Sequence, residues 1–295
     1  MNILIAGASG FVGTALISFL QSQGHRIVRL VRSDQGVRKD VYLWDPAKGQ
    51  IDLRAFEGID AVINLAGENI FSGRWTEAKK KSILDSRVAA TRVLVSAICS
   101  LTSPPKVLIQ TSAVGFYGDL GDQICDEKTL AGDGFLSEVC HEWEKACEPA
   151  AEAGIRTVVF RFGLVLGVEG GILRAVLPLF KLGLGSKLGS GRQWMSWIAL
   201  EDLTGLFQFA LTHQELKGTI NAVSPTPVPT AMFTRVLRKM LHRPPFFPLP
   251  VWLLRLVFGR EKADALLLSS TRVQSCKLAY HFLYPDLQSI LQKIL

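Results

Sequence analysis

Three glycines close to the start of the chain have the spacing of a phosphate-binding turn. They are Gly7, Gly10 and Gly13, in the stretch "ILIAGASGFVG", between an apolar run and a helical pattern. In that context Gly7 lets the chain turn off a strand, Gly10 lets the backbone approach a pyrophosphate, and Gly13 allows close helix–strand packing. The N-terminus of the helix adds free N–H groups and a partial positive charge, which favour an anion. The same turn supplies three further predicted cofactor contacts, namely Ser9, Phe11 and Val12.

The end of the second apolar run bears on which dinucleotide is bound. An acidic residue about 20 positions beyond the glycines usually accepts the ribose hydroxyls of NAD. Here the stretch reads "RLVRSDQ", with Val31 at that position and Arg32 and Ser33 directly after it. A guanidinium can form a bidentate pair with a 2′-phosphate, whereas Asp34 could act as a displaced acid. The pattern favours NADP over NAD, with Val31, Arg32 and Ser33 as contacts.

These residues need a scaffold, and the chain alternates short strand-like runs with helical segments as far as residue 163. The strands are "NILIAG", "HRIVRLVR", "DAVINLAG", "KVLIQTSA" and "RTVVFRFG". Helical patterns occupy residues 11–24, 76–100 and 135–154. Alternation of this kind implies right-handed crossovers between parallel strands. The sequence therefore predicts an α/β fold, a Rossmann-type doubly wound parallel sheet.

Beyond residue 163 the alternation stops, and glycine-rich and proline-rich stretches take its place. This change predicts a smaller C-terminal substrate lobe built from residues 164–192 and 221–295. Residues 193–220 are expected to return to the dinucleotide-binding domain of residues 1–163. Two terminal helices are predicted in the lobe, around 251–269 and 286–295.

Composition narrows the partners that we expect. The net charge is +7, but the lysines and arginines are scattered, so a nucleic-acid partner is not expected. Five cysteines and five histidines show no ligand or disulfide spacing, so we expect no metal site and a reducing, cytoplasmic location. We expect no signal peptide, and no apolar run reaches about 20 residues, so no membrane association is expected. A small-molecule substrate is expected, and a homo-oligomer is left open.

Taken together, the motifs resemble those of the extended and atypical short-chain dehydrogenase/reductases. The matching pieces are "GASGFVG", "NLAGEN" at 64–69, "TSAVGFYGD" at 111–119 and "RFGLVLG" at 161–167. More narrowly, the chain resembles NAD(P)-dependent epimerase-family proteins that are often labelled SulA-like cell-division inhibitors. That narrower match rests on "SRVAAT" at 86–91, "GSGRQWMSWIALEDL" at 189–203 and "FGREKADALLLSSTRV" near the C-terminus. The resemblance implies further cofactor contacts at Leu65, Ala66, Gly67, Arg87 and Thr111.

The resemblance also implies an acid–base pair, which this chain lacks. Family members carry a tyrosine that exchanges a proton with the substrate oxygen, and a lysine four residues later that lowers its pKa. The corresponding helix reads "FLSEVCHEWEKA", and alignment on Glu144 places Leu136 at the tyrosine position and Cys140 at the lysine position. Neither side chain can replace the pair, since leucine has no ionisable proton and a thiol in an apolar helix face is inert.

Other polar residues near this position are the remaining candidates for chemistry. Ser112 and Tyr117 are predicted as catalytic, Ser112 as the hydroxyl that contacts a substrate oxygen and Tyr117 as a relocated acid. Tyr117 could instead be a wall residue at the sheet edge. Arg87 could bind cofactor phosphates or a substrate carboxylate, or it could pair with Asp85 or Glu77 on the helix surface.

Two functions follow from these residues. The first is an NADP-dependent oxidoreductase or epimerase, acting on an unknown small substrate, with an acid–base set that lacks the Tyr–Lys pair. The alternative is a catalytically silent NADP-binding regulator or sensor that acts through a protein partner. A conventional nucleotide-sugar epimerase is a weaker third reading, because the missing pair argues against it.

Overall fold

A central sheet of eight strands runs through the first three quarters of the chain. The computed structural model describes residues 1–33, 39–244 and 249–295. The elements up to the fifth strand and its helix are β1 (Asn2–Ala6), α1 (Phe11–Ser22), β2 (Arg26–Val31), β3 (Val41–Asp45), β4 (Gln50–Ile51), β5 (Ala61–Asn64) and α2 (Glu77–Ser100). Next come β6 (Val107–Ala113), β7 (Ile124–Cys125), α3 (Phe135–Lys145), α4 (Glu148–Glu152), β8 (Arg156–Phe162) and β9 (Leu164–Gly167).

The rest of the chain adds the last sheet strand and most of the small elements. They are α5 (Gly171–Lys181), β10 (Trp194–Met195), β11 (Trp197–Ala199), α6 (Leu200–Thr212), β12 (Gly218–Ala222), β13 (Val228–Pro229) and α7 (Thr230–Met240). The final ones are α8 (Val251–Phe258), α9 (Arg260–Ala263), β14 (Arg272–Val273) and α10 (Leu287–Ile294). The predicted helix at 286–295 is confirmed by α10.

The strand order of the sheet is β12-β8-β6-β5-β1-β2-β3-β4. Every neighbouring pair in it is parallel except β3 with β4, which is antiparallel. The chain moves outward in both directions from β1, so the predicted doubly wound parallel sheet is confirmed. The apolar run of β1 is fully buried from Ile3 to Ala6, as expected of a parallel strand covered on both faces.

Helices cover both faces of this sheet. On one face, Leu16 of α1 and Phe207 of α6 join the core against β1 and β8. On the other face, Leu94 and Ile98 of α2 and Ala150 of α4 form a second core. The sheet edge where the parallel strands end is therefore held from both sides, and ligands bind at that edge in folds of this kind.

Two predicted helices are interrupted in the structure, so the single-helix predictions for 135–154 and 251–269 were wrong. The first divides into α3 and α4, because Pro149 has no N–H to continue the helical hydrogen bonds. The second divides at Gly259, which has a φ of +84°, and after α9 it continues as a wider π-helical turn, Asp264–Leu268.

A third core lies under the C-terminal elements. Helices α5, α7 and α10 pack around Trp197, Phe233 and Ile290. Strand β11 pairs with β9, so residues 193–220 touch the segment that the sequence assigned to the other lobe. The sheet reaches Ala222, two residues past that segment. The proposed division into two lobes stays a prediction.

The C-terminal segment is also joined to the loop that follows β5, by hydrogen bonds. The buried Nζ of Lys262 donates hydrogen bonds of 2.7 Å to the carbonyl oxygens of Phe71 and Gly73. Beside it, Lys80 forms an ion pair of 3.0 Å with Glu261. Within the described ranges, the helices are all too short or too polar to cross a membrane.

Candidate functional site

The glycine turn between β1 and α1 is shaped by its neighbours at two of its three glycines. Gly7 has a φ of +79°, and a Cβ there would lie 2.6 Å from the carbonyl group of Leu65. A Cβ on Gly13 would lie 2.4 Å from the Gly7 oxygen. At Gly10 the nearest atom would be 3.4 Å away, and its backbone conformation is extended. The fold itself therefore requires Gly7 and Gly13, whereas Gly10 is free to serve a ligand.

The N-terminus of α1 is open toward the same space. Gly10 is its N-cap residue, and no side chain in the described ranges caps it. Ser9 and Gly10 are exposed, while Phe11 and Val12 are half-buried. The first N–H groups of the helix are thus left for an outside acceptor such as a pyrophosphate oxygen.

Phe11 has a second role that the sequence did not indicate. Its ring lies against the backbone of the loop that joins β9 to α5. A Cβ on Gly170 would lie 2.3 Å from the ring, and a Cβ on Gly167 or Gly171 would lie 2.9 Å or 3.3 Å from it. The three glycines form a socket for Phe11, so this side chain connects the turn to the C-terminal elements.

The end of β5 brings the next predicted contacts against the turn. The backbone of Leu65 and Ala66 touches Gly7, and Ala66 N donates a 3.1 Å hydrogen bond to the side chain of Asn64. Gly67 lies beside the guanidinium of Arg87, since a Cβ on Gly67 would be 3.1 Å from Arg87 Cζ. The structure therefore brings Leu65, Ala66, Gly67 and Arg87 together with the glycine turn.

Arg87 is a half-buried cation whose polar partners are backbone carbonyls. Its Nη1 and Nη2 atoms donate to Ile83 O and Glu68 O, each at 3.0 Å, and its guanidinium lies 5.0 Å from the ring centre of Trp143. Burial lowers the pKa of Arg87 below its usual range. In the part of the chain described, no carboxylate is ion-paired with it.

The surface ion pairs that the sequence left open for Arg87 are made by other residues. Asp85 pairs with Lys81, and Glu77 pairs with Lys80. The carboxylate of Glu68 is held by Lys79 and Ser82. The charge of Arg87 is therefore available to an anion near Gly67.

The polar residues at the end of β6 are buried and already bonded to protein groups. Thr111 Oγ1 donates to Asn64 O at 2.9 Å, and Ser112 Oγ donates to Glu144 Oε1 at 2.6 Å. Ser112 is only 2% exposed. Because its proton points to Glu144, the Ser112 oxygen offers lone pairs rather than a proton to any ligand.

Tyr117 belongs to the same buried network, which sequence reasoning missed. Its hydroxyl donates to Asn221 Oδ1 at 2.8 Å and accepts from Arg161 Nη1 at 2.9 Å. Arg161 also holds both oxygens of Glu144, at 2.8 and 2.7 Å. The sequence signal was an arginine inside an otherwise apolar strand, which needs an acid to be buried there.

Burial decides the protonation of Tyr117. The side chain is 0% exposed, and its burial raises its pKa to about 12 despite the nearby Arg161. The hydroxyl stays protonated and enclosed at neutral pH, which fits the wall-residue alternative. The catalytic assignments of Ser112 and Tyr117 stay predictions.

Leu136 and Cys140 face the end of β6 from helix α3. A Cβ on Gly115 would lie 3.3 Å from Leu136 Cβ and 4.0 Å from Cys140 Sγ. Burial raises the pKa of Cys140 to about 11, so the thiol is neutral. The position where the resemblance places the Tyr–Lys pair is therefore occupied by two groups that do not ionise near neutral pH.

The end of β2 lies at the far side of the turn. Val31 is half-buried, and Arg32 and Ser33 are exposed. Arg32 forms no hydrogen bond or ion pair with any residue that the structure describes, which leaves its guanidinium free for a phosphate. Asp34, the displaced acid considered above, lies outside the described residues.

Three adjoining cavities, of about 720, 480 and 350 Å³, lie beyond α3 rather than over the glycine turn. The middle one is lined by Gly115, Phe135 and Leu136 on one side and by Asp264 and Ala265 on the other. Among the described side chains, no group of His, Cys, Asp and Glu gathers closely enough to hold a metal ion.

Comparison with known proteins identifies the family to which the chain is similar. The model of the NAD dependent epimerase/dehydratase family matches residues 3–224, and a domain of unknown function, DUF1731, matches residues 249–294. The epimerase family protein MT2273 of Mycobacterium tuberculosis is 41% identical over 273 residues, covering 92% of this chain and 90% of its own. The family model and the M. tuberculosis relative are both described as epimerase family, so they do not support the cell-division label.

Two solved structures show how far the likeness extends. A crystal structure of the human epimerase family protein SDR39U1, isoform 2, with NADPH is 34% identical, with a TM-score of 0.90 over 100% of this chain and 99% of that one. A nucleoside-diphosphate sugar epimerase from Corynebacterium glutamicum is also 34% identical, with a TM-score of 0.82. It matches 100% of this chain and 58% of the longer protein.

Proposed function

The chain belongs to the NAD dependent epimerase/dehydratase family, and we propose that it binds NADP(H). With this cofactor it would reduce a small carbonyl substrate or oxidise the corresponding hydroxyl compound. The observation that carries this proposal is the open glycine turn. Gly10 has room beside it, and α1 begins there without a side-chain cap. A pyrophosphate fits that place and needs the free N–H groups that the helix offers.

The choice of NADP(H) rests on two further observations. Arg32 is exposed at the end of β2 and is unpaired with respect to the described residues, so it can hold a 2′-phosphate. The human relative described above was crystallised with NADPH. The half-buried Arg87 beside Gly67 supplies a second cation for the anionic cofactor.

Bound NADPH would supply the hydride, and the protein groups would position the substrate. Ser112 presents oxygen lone pairs, so it can accept a hydrogen bond from a substrate hydroxyl. Glu144 and Arg161 fix its orientation through hydrogen bonds of 2.6 to 2.8 Å. Leu136 and Cys140 do not exchange protons here, so the proton that must accompany the hydride when a carbonyl is reduced would come from solvent.

The competing function is a cofactor-holding regulator that no longer turns over a substrate. One specific observation favours it, namely that Ser112, Tyr117 and Cys140 are all at most 4% exposed. Such a protein would bind NADPH and change its surface for a partner protein. Both functions require the cofactor. A measurement of NADPH binding therefore cannot distinguish the enzyme from the regulator, but failure to bind NADPH would exclude both.

The experiment has two stages. Titration of NADPH and NADH, followed by intrinsic fluorescence, should give tighter binding of NADPH, and Arg32→Ala should remove most of that preference, about 1.5–3 kcal/mol. Equal affinities in the wild type would refute the assignment of Arg32. Absorbance at the reduced-nicotinamide band is then followed against a panel of carbonyl compounds. Turnover supports the enzyme, and tight NADPH binding with no turnover across the panel supports the regulator.

A further inference from the structure

The excess positive charge of the protein belongs to its C-terminal part. Residues 1–163 carry 18 lysines and arginines against 19 aspartates and glutamates, whereas residues 164–295 carry 15 against 7. Two stretches of that part, 170–200 and 216–260, contain no acidic residue and hold eleven of its cations. A charge asymmetry of this kind is typical of proteins that bind an anionic macromolecule or a membrane.

Few of these eleven cations are neutralised by neighbours. Among the residues that the structure describes, only Arg255 and Arg260 lie within 4.0 Å of a carboxylate oxygen, and in both cases it belongs to Asp264. The others form no ion pair with a described residue. Most of them are exposed, among them Lys181, Arg192, Arg235 and Lys239. An anionic surface would meet these side chains without first breaking an ion pair.

The fold brings the two stretches side by side. Leu188 and Leu249 form a β-bridge, and Leu249 N donates a 2.9 Å hydrogen bond to Lys187 O. The start of α7 joins the same place, because Ala231 N donates to Gly191 O at 2.9 Å. Helix α8 begins two residues after Leu249. The segment that follows α5 and the first turns of α7 and α8 are therefore neighbours.

Large apolar side chains are exposed beside the cations. In α8, Trp252 and Leu256 are 66% and 65% exposed, one turn apart, on the side of the helix opposite to the buried Leu254. Further exposed apolar side chains in the two stretches are Leu179, Leu182, Leu184, Met232, Val257 and Phe258. Single apolar residues are common on protein surfaces, whereas clusters of them mark interaction sites.

The combination of charge and apolar surface decides which partner fits. An excess of cations would repel a second copy of the same face. Nucleic acid would be attracted by the charge, but its bases stack on flat aromatic or guanidinium faces and gain little from exposed leucine side chains. An anionic bilayer suits both parts, since lysine and arginine bind its headgroups while tryptophan and leucine enter the boundary between headgroups and acyl chains.

We propose that this basic face, formed by residues 179–192, α7 and α8, docks the protein onto a membrane that contains anionic phospholipid. Trp252 and Leu256 would enter the headgroup boundary, and the exposed cations Lys181, Arg235 and Lys239 would contact headgroup phosphates. The proposal is independent of the proposed reaction, because the glycine turn lies elsewhere, between β1 and α1. The expectation of no membrane association concerned spanning segments and signal peptides, and binding at the surface requires neither.

Flotation with lipid vesicles measures this binding on the full chain. The vesicles consist of phosphatidylcholine alone, or of equal parts of phosphatidylcholine and phosphatidylglycerol. We expect the protein to bind the anionic vesicles about tenfold or more tightly than the neutral ones, and to bind them more weakly as the salt concentration rises. Saturating NADPH should not release the protein, because the cofactor is proposed to bind at the glycine turn.

A pair of matched variants tests the apolar part. Trp252→Glu combined with Leu256→Glu should weaken binding to the anionic vesicles about tenfold or more. Leu130→Glu combined with Leu53→Glu adds the same charge at positions that are 84% and 52% exposed outside the basic face, and should change the binding little. Thermal melts and NADPH titration establish that both double variants are folded.

A second pair tests the cations at constant change of net charge. Neutralising three cations of the basic face should weaken binding to the anionic vesicles about tenfold or more, with Lys181→Gln, Arg235→Gln and Lys239→Gln combined. Neutralising three exposed lysines of the first 163 residues should have little effect, with Lys106→Gln, Lys128→Gln and Lys145→Gln combined.

Four results would overturn the proposal. Equal binding to both kinds of vesicle, or to neither, would exclude an anionic membrane as the partner. Equal losses in the face variants and their controls would show that only the net charge matters. Release by NADPH would mean that the cations hold the cofactor instead. Binding of a duplex oligonucleotide, or dimerisation that Trp252→Glu abolishes, without binding to vesicles would assign the face to nucleic acid or to a second copy.

Discussion

At the level of single residues, the glycine turn separates what the fold requires from what a ligand requires. Gly7→Val places a branched side chain at a φ of +79° and against the Leu65 backbone. We expect it to lower the free energy of unfolding by about 3 kcal/mol or more. Gly10→Val should stay within about 1 kcal/mol of the wild type but abolish NADPH retention, because the side chain fills the space of the pyrophosphate. Urea melts and fluorescence titration check both, and NADPH binding by folded Gly10→Val would show that the cofactor lies elsewhere.

Arg87 should contribute to cofactor affinity beyond its contribution to stability. Arg87→Met keeps the length of the side chain but removes the charge beside Gly67. We expect NADPH to bind about 10–100-fold more weakly, since a charge-assisted contact is lost. Lys81→Met, on the same helix but at an exposed ion pair with Asp85, serves as the control and should leave the affinity unchanged. If both variants weakened NADPH binding equally, Arg87 would contribute only through the overall positive charge of the protein and not through a specific contact.

Among the residues near the end of β6, we expect some to affect only stability and others to affect turnover. Cys140→Ser and Leu136→Met should leave turnover within a few-fold, and cost only about 0.5–1.5 kcal/mol of stability. Ser112→Ala should lower turnover by about 100-fold if Ser112 contacts the substrate. Initial rates on the best carbonyl compound, together with thermal melts, distinguish these outcomes. A large loss of rate on Cys140→Ser would mean that the thiol performs the chemistry.

At the level of elements, one carboxylate holds three segments together. Glu127 follows β7 and accepts hydrogen bonds from Asn221 N, Ser275 Oγ and Cys276 N, at 2.9, 2.5 and 2.9 Å. Burial alone would raise the pKa of Glu127, but these hydrogen bonds lower it below its usual range. Its ionised form therefore stabilises the fold, and that contribution is lost as the pH falls through the lowered pKa.

Glu127→Gln tests this contribution through its pH dependence. Above about pH 5 the variant should be less stable than the wild type by about 1–2 kcal/mol, because the amide cannot accept all these hydrogen bonds. The difference should shrink as the pH falls through the lowered pKa of Glu127, because the wild-type carboxylate then becomes protonated. Urea melts across that range measure it. A difference that does not vary with pH would mean that the ionisation of Glu127 plays no part.

The helices and strands also show which parts of the fold could be predicted from sequence patterns. The strands of the sheet and the glycine turn follow from local apolar runs and glycine positions, so they could be predicted. The breaks at Pro149 and Gly259 were visible as residue types, but the apolar periodicity on both sides concealed them. The network of Ser112, Glu144 and Arg161 joins residues from three elements. Arg161 in an apolar strand indicates that an acid lies near it, but the members are far apart in the chain, so no local pattern could identify Glu144 and Ser112 as its partners.

At the level of the whole molecule, the contact of Lys262 with the loop after β5 joins the C-terminal segment to the nucleotide-binding sheet. Burial lowers the pKa of Lys262, yet its amine is held by two carbonyl oxygens. Lys262→Met should cost about 1–3 kcal/mol, because those oxygens lose their donor. Lys80→Met, which removes the neighbouring ion pairs with Glu77 and Glu261, should cost less. Chemical denaturation of the two variants compares them, and a larger loss for Lys80→Met would contradict this account.

The socket around Phe11 has a consequence for exchanging parts between related proteins. The ring and the glycines at 167, 170 and 171 fit only as a set, although they lie more than 150 positions apart in the chain. A nucleotide-binding turn transplanted from another dehydrogenase would bring its own side chain at position 11, and a smaller one would leave a void. Conversely, any side chain at position 170 would collide with the native ring. Across homologous sequences these positions should therefore covary, and a chimera should fold well only when both segments come from the same parent.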